Sequence, residues 1–191
     1  MIKPPKTRPC SECKELFTPM SSLAKVCSMA CSLDLIDRKK FKVKKKKEKE
    51  FDKETARMKR EKNDKDPSFW SDKAQAACNQ YIMLRDIGKP CISCKTESKD
   101  IDYCAGHYIP RGRSAALRFN EFNIHRQCNN FCNLKNSGNL TPYRQALVKI
   151  YGEEKVLWLE GPHEMPRYRI DDYKRIYAEF KLKAKNLKGL L

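Results

Sequence analysis

The chain predicts an α+β fold with a small core, and three observations carry that expectation. Eight of its ten cysteines fall into four short-spaced pairs. A hydrophobic content of 40% and a mean hydropathy of −0.78 are low for a single compact globule of 191 residues. Two short strand-like segments lie between the last two cysteine pairs, and longer segments with helical periodicity flank them. The core is therefore expected to be modest and helped by metal, with part of the chain solvated. In order, these features give a four-cysteine module over 1–35, a Lys-rich linker over 36–66, and a metal-stabilised domain with C-terminal helices over 67–191.

The first module holds Cys10-x-x-Cys13 and Cys27-x-x-x-Cys31 on either side of a 13-residue loop. A structural zinc takes four thiolate or imidazole ligands at tetrahedral corners, so the two pairs complete one site. Leu16, Phe17, Leu23 and Val26 are its expected miniature core. From Arg38 to Lys65, fifteen Lys or Arg stand against six Asp or Glu, and the few apolar residues keep no helical spacing. That stretch cannot bury a stripe, so it should be a solvated helix or a disordered tether.

Order resumes at Asp66-Pro67-Ser68, where Ser68 is placed to cap a helix with apolar positions Trp70, Ala74, Ala77, Tyr81 and Leu84. Gly88 and Pro90 stop it. Cys91-x-x-Cys94 and Cys128-x-x-x-Cys132 form a second zinc site, with short strands expected around 101–109 and 121–126 and a loop at Pro110 to Ser114. Thr141-Pro142 opens a helix with proline at its first position, and Tyr143, Leu147, Ile150 and Tyr151 line one face. A last helix from Asp171 sets Tyr173, Ile176, Tyr177, Phe180, Ala184 and Leu187 on one side. Of the two remaining cysteines, Cys78 reads as a small buried hydrophobe, and Cys104 lacks an activating base.

Lys plus Arg outnumber Asp plus Glu by 41 to 24, a formal charge of +17, which favours a polyanionic partner. Nucleic acid fits best. A membrane does not, because no run of about 18 apolar residues exists. Met1 to Pro9 is basic and proline-rich with no apolar stretch after it, so no secretory signal is expected. Ten cysteines in an unexported chain indicate metal sites in a reducing cytoplasm, not disulfides.

Residues 91 to 133 resemble the HNH nucleases, whose site is a two-stranded hairpin followed by a helix around one divalent ion. The wider run is similar to the phage NinG (Rap) recombination proteins, known for cutting branched DNA. It comprises Ala105-Gly106-His107-Tyr108, Leu117-Arg118-Phe119-Asn120-Glu121, Asn123-Ile124-His125, Gln127-Cys128, Cys132-Asn133 and Ser137-Gly138-Asn139. The N-terminal cysteine cluster, the lysine-rich stretch and Gly152-Glu153-Glu154 extend the likeness over most of the chain. It implies a ββα-metal (HNH-like) core and a structure-selective endonuclease of the host cytoplasm that hydrolyses phosphodiesters in Holliday junction-like DNA.

Carried over, the resemblance makes His107 the general base, Asn123 the residue that orients the loop, and Asn133 the metal-side residue. Many HNH sites carry an acid directly before the histidine; Gly106 stands there, which leaves Asp102 as the expected carboxylate ligand. Mg²⁺ or Mn²⁺ would prefer the oxygens of Asp102 and Asn133, while the thiolates hold zinc. Arg111, Arg113 and Arg118 are expected to grip phosphates. His125 is a phosphate contact, a second metal ligand or a structural residue. Cutting both sides of a junction calls for two active sites, which makes a homodimer an expectation. The competing readings are a zinc-dependent DNA-binding protein without catalysis, and a nuclease of ordinary duplex or RNA.

Overall fold

The structure, a computed structural model, describes residues 6–190, so the expectation for Met1 to Pro9 lies partly outside it. The chain divides into two units, the first ending at Glu61 and the second beginning at Lys62.

In the first unit, β1 (Arg8–Pro9) pairs antiparallel with β2 (Leu16–Phe17). The expected miniature core does not form: Leu16 is 73% and Leu23 83% exposed. A segment this short cannot close an apolar core on itself. Polar contacts hold it instead. The Arg8 guanidinium donates to the carbonyls of Ala24 and Ser22, the latter at 3.1 Å, and Arg38 pairs with Glu12 at 2.5 Å.

The basic stretch is helical. α1 (Met29–Asp64) runs 36 residues with none buried. No buried face supports it, so between its ends its stabilisation is mostly local. Lys46–Glu50 and Arg57–Glu61 are i,i+4 ion pairs at 3.9 and 3.6 Å, each worth a few tenths of a kcal/mol.

In the second unit, α2 (Pro67–Arg85) starts two residues earlier than its sequence implied. Asp66, not Ser68, is the cap: its side chain accepts the Ser68 N–H at 2.8 Å, and Pro67 takes the first helical position, where a missing N–H costs nothing. The buried face centres on Ala74, Ala77, Cys78 and Ile82. Against it lie Phe180, Ile176 and Tyr177 of α5 (Ile170–Lys188).

Between these helices in sequence lies a hairpin of β3 (Tyr103–His107) and β4 (Ile124–Cys128), antiparallel, with Tyr103 opposite Cys128 and His107 opposite Ile124. Strand alternation puts Ala105 and Ile124 on the α2 face, with His107 at its end, and turns Gly106, His125 and Gln127 the other way. On that second face a separate core gathers Tyr108, Leu117, Tyr143, Leu147, Val156 and Leu159. It uses α3 (Leu140–Tyr151) and α4 (Glu153–Glu160). Pro142 is the third residue of α3, not the first, and Ile150 points to solvent.

A buried ion pair locks the end of α2 to the hairpin. Arg85 donates to Asp86 at 2.9 and 2.7 Å and to the carbonyls of Glu121 and Ile124 at 2.9 and 2.8 Å. Asp86 also accepts the Arg126 N–H at 3.2 Å. Burial alone would raise the Asp86 carboxyl, but the bonds from Arg85 and Lys89 outweigh it and hold the group at about 2.

The cap assignment has a direct test. Asp66→Ala should lower stability by about 1 kcal/mol in chemical denaturation, with Ser68→Ala within about 0.5 kcal/mol of wild type. A larger loss from Ser68→Ala would contradict it.

Candidate functional site

Two cysteine clusters are each assembled so that every sulfur lies within 4.8 Å of the others in its set: Cys10, Cys13, Cys27 and Cys31, and Cys91, Cys94, Cys128 and Cys132. Both are built the same way. In each knuckle a lysine follows the second cysteine with positive φ, 68° at Lys14 and 63° at Lys95. Its backbone N–H reaches back to the carbonyl of Cys10 or Cys91, at 3.2 and 3.0 Å. Its ammonium closes on the next carbonyl, Ser11 at 2.9 Å or Ile92 at 2.7 Å. The N–H of the third cysteine then points at the first sulfur, Cys27 to Cys10 at 3.4 Å and Cys128 to Cys91 at 3.3 Å.

The sulfur geometry fits a zinc ion. With Zn–S near 2.3 Å, tetrahedral sulfurs stand roughly 3.8 Å apart. Cys94 and Cys128 are 3.7 Å apart, Cys27 and Cys31 3.7 Å, and Cys13 and Cys27 3.5 Å, far beyond a disulfide bond. Burial opposes ionisation of Cys10 and Cys91, yet the converging backbone N–H groups win and lower both, Cys10 to about 6. Both clusters can therefore hold a zinc-like ion. After Cys128 the chain enters a seven-residue π-helical segment, Asn129–Lys135. Its wide turn accommodates the x-x-x spacing and brings the Cys132 N–H to the Cys128 sulfur at 3.3 Å.

At the opposite end of β3, His107 lines a cleft of about 510 Å³ together with Asn133, Arg111, Asn79 and Cys104. Its Nε2 lies 3.1 Å from the Arg118 carbonyl. A carbonyl only accepts, so Nε2 carries the proton and Nδ1 is the basic nitrogen. Burial, ahead of the favourable Arg118 contact, lowers the His107 pKa and keeps the ring neutral. Asn133 donates to Asn129 Oδ1 at 3.3 Å, leaving its own Oδ1 without a hydrogen-bond partner among the described residues.

Asn123 is fully buried and acts on the loop after His107. Its Oδ1 accepts the Ile109 N–H at 2.7 Å, and its Nδ2 donates to the carbonyls of Ile109 and Leu117 at 3.0 and 3.1 Å. It touches the loop, not the cleft. Gly106 is explained by the buried Gln127, whose Cβ would stand 2.9 Å from any Cβ there. A carboxylate before His107 has no room.

Four expected contacts are placed elsewhere. Asp102 sits exposed just before β3, about five residues or roughly 16 Å of strand from His107, so the two side chains are not brought together. His125 is not a nucleic-acid contact: it is 5% exposed, with Tyr143 and Tyr151 hydroxyls 3.3 and 2.9 Å from its ring nitrogens. Arg118 turns inward and donates to Gln75 at 2.9 Å. Arg113 lines a different cavity, beside Glu160, which leaves Arg111 as the arginine in the cleft. Burial pushes the Cys104 thiol up to about 11, which favours its protonated form. The Arg85–Asp86 clamp escaped sequence reading; an adjacent Arg-Asp pair after an amphipathic helix was the available signal for it.

The arrangement defines a class: a mixed α/β chain whose paired cysteine clusters each suit one zinc-like ion and whose hairpin ends in a histidine-lined cleft. The model of the family described as "Bacteriophage Lambda NinG protein" matches residues 2–189, and the chain belongs to that family. Protein ninG of Escherichia phage lambda is 37% identical over 200 residues, covering 99% of this chain and 97% of that protein. Protein ninG of Salmonella phage P22 is 41% identical over 121 residues, or 63% of this chain and 59% of that protein. For protein ninG of Escherichia phage 933W the identity is 40% over 122 residues, with 64% and 60% covered. No solved structure matches the chain. Among the described residues no helix is long and apolar enough to cross a membrane.

Elemental analysis of the purified protein should find about two zinc ions per chain. Cys91→Ser should reduce that to about one and destabilise the second unit, whereas Cys10→Ser should lose one ion and spare that unit's unfolding transition. Unchanged metal content in both variants would contradict the assignment.

His125 gives a pH signature. Burial, then the charge of Arg85, depresses its pKa from the ordinary 6.5 to about 3, so folding favours the neutral ring. The stabilisation is fully present above 6.5 and is lost as pH falls toward 3. The stability advantage of wild type over His125→Gln should therefore shrink between about pH 7 and about pH 4.5 in denaturation curves. A constant gap would contradict a buried neutral histidine.

Proposed function

We propose that the chain is a metal-dependent, structure-selective DNA endonuclease that hydrolyses phosphodiesters in branched recombination intermediates such as Holliday junctions. The observation that carries this reading is His107, half buried at the end of β3, with Nε2 fixed on a carbonyl and Nδ1 left basic in a cleft shared with Arg111 and Asn133. The hairpin and the Asn129–Lys135 segment then serve as the ββα-metal element of an HNH-like nuclease.

On this reading His107 Nδ1 accepts the proton of a water in line with the scissile phosphorus, a contribution of roughly 10²- to 10⁴-fold. Arg111 offers planar donors to the phosphate oxygens. Asn123 acts by position: it fixes the loop that carries Arg111 relative to the end of β3. Asn133 Oδ1 is the protein oxygen suited to a Mg²⁺ or Mn²⁺ ion, with water and substrate phosphate completing a hard ligand set. When bound, that ion would neutralise charge developing on the phosphorane and the leaving oxygen. The net charge of +17 and the uncovered basic α1 supply sequence-independent DNA affinity. Two copies acting on opposite strands of a junction, in the reducing host cytoplasm, complete the picture.

A second reading has its own support. No carboxylate lines the cleft. A zinc-dependent DNA-binding recombination or regulatory protein, without catalysis, would need none.

Cleavage of a labelled four-way junction separates the two. With Mg²⁺ or Mn²⁺, wild type should cut the junction in preference to a matched duplex and to RNA. His107→Ala should cut about 10²- to 10⁴-fold more slowly with binding retained. Tight binding without cutting by either protein under both metals would establish the second reading, and equal cutting by both would remove His107 from the mechanism.

A further inference from the structure

α5 carries six cations, and they sort into two kinds. Three are engaged: Lys174 with Asp64 at 2.8 Å, Arg175 with Asp172 at 3.2 Å, and Lys183 with Glu121 and Glu179 at 2.6 and 2.7 Å. The other three, Lys181, Lys185 and Lys188, are exposed and make no ion pair among the described residues. Spacings of four and three place them on one stripe of the helix. That stripe lines an open groove of about 500 Å³ against Gln80 of α2, and no carboxylate lines it.

A solvated polar face is the ordinary fate of such lysines, and the last two also complement the C-terminal end of the helix dipole. Lys181 lies too far from the terminus for that. Like charges at i,i+4 and i,i+3 destabilise a helix unless an anion sits between them. Acidic residues were available on α5 and were placed beside the other cations. The groove thus keeps an unneutralised positive edge.

Its position gives that edge a use. Asn79 of α2 lines the His107 cleft, and Gln80, the next residue, lines the groove, so the two depressions flank the same helix. From Lys181 to Lys188 the helix rises roughly 10 Å, about the length of three base-pair steps. We infer that this groove seats the phosphate backbone of a duplex DNA arm adjoining the strand that enters the His107 cleft. The inference rests on DNA as the substrate of the proposed function.

The test is a salt titration of DNA binding by the full chain, without added Mg²⁺ or Mn²⁺ so that no strand is cut. It compares wild type with the combined Lys181→Gln, Lys185→Gln, Lys188→Gln variant. A control neutralises Lys99, Lys149 and Arg167, three exposed cations elsewhere in the second unit. Loss of three phosphate contacts should lower the slope of log affinity against log salt by about 2.7 and weaken junction binding about tenfold or more near 0.15 M salt. The control should change the slope by less than about 1. An unchanged slope in the α5 variant, or an equal change in the control, overturns the groove assignment while leaving the nuclease reading intact. A wild type that binds no DNA, or binds anionic vesicles instead, overturns both.

Discussion

The convergence of four sulfurs at one end of the β3–β4 hairpin is the constraint on which the second unit depends. Two strands of five residues are marginal on their own in water. The Cys91 knuckle joins the hairpin through the Ile92 N–H to the Arg126 carbonyl at 2.9 Å, and Cys128 and Cys132 fasten its far side. With Cys128 held there, Tyr103 must lie opposite it and His107 opposite Ile124. A slip of one residue would send His107 to the other face of the sheet. The sulfur cluster therefore fixes where the histidine points, although the two lie at opposite ends of the strand.

Buried polar contacts finish what the sulfurs begin. Arg85 and Asp86 tie α2 to the backbone of β4, and Asn123 spans the loop that leaves β3. Such groups are costly to bury unless paired, and here each is paired with backbone atoms whose positions it then determines. Gly106 belongs to the same logic. Its missing side chain is the space that Gln127 occupies, while the Gly106 carbonyl accepts the Tyr143 hydroxyl at 2.9 Å. The absence of an acid before His107 is thus a packing requirement of this hairpin.

The sequence was most legible where chemistry imposes a spacing. The four cysteine pairs announced both clusters, and the periodicity of α2 and α5 announced the helices that cover the hairpin. It was least legible where the third dimension decides. Leu16 and Leu23 look like core residues until the module proves too small to enclose them. His125 and Arg118 look like phosphate contacts, since nothing local says that Tyr143, Tyr151 and Gln75 wait on the inner side. Asp102 is near His107 in sequence, but an extended strand carries it to the thiolate end of the hairpin. Cap identity at Asp66 turned on two residues of register, which periodicity does not resolve.

Charge is distributed as unevenly as packing. α1 has basic residues and no buried face, whereas the cations of the second unit are divided between ion pairs that fasten elements together and exposed positions that fasten nothing. Zinc-edge X-ray absorption on the intact protein tests the two sulfur clusters most directly. Four sulfur ligands per zinc near 2.3 Å are expected, with no nitrogen or oxygen in the shell. A shell containing nitrogen near 2.0 Å, as an imidazole would give, or fewer than four sulfurs, would contradict the cluster that sets the register of the hairpin.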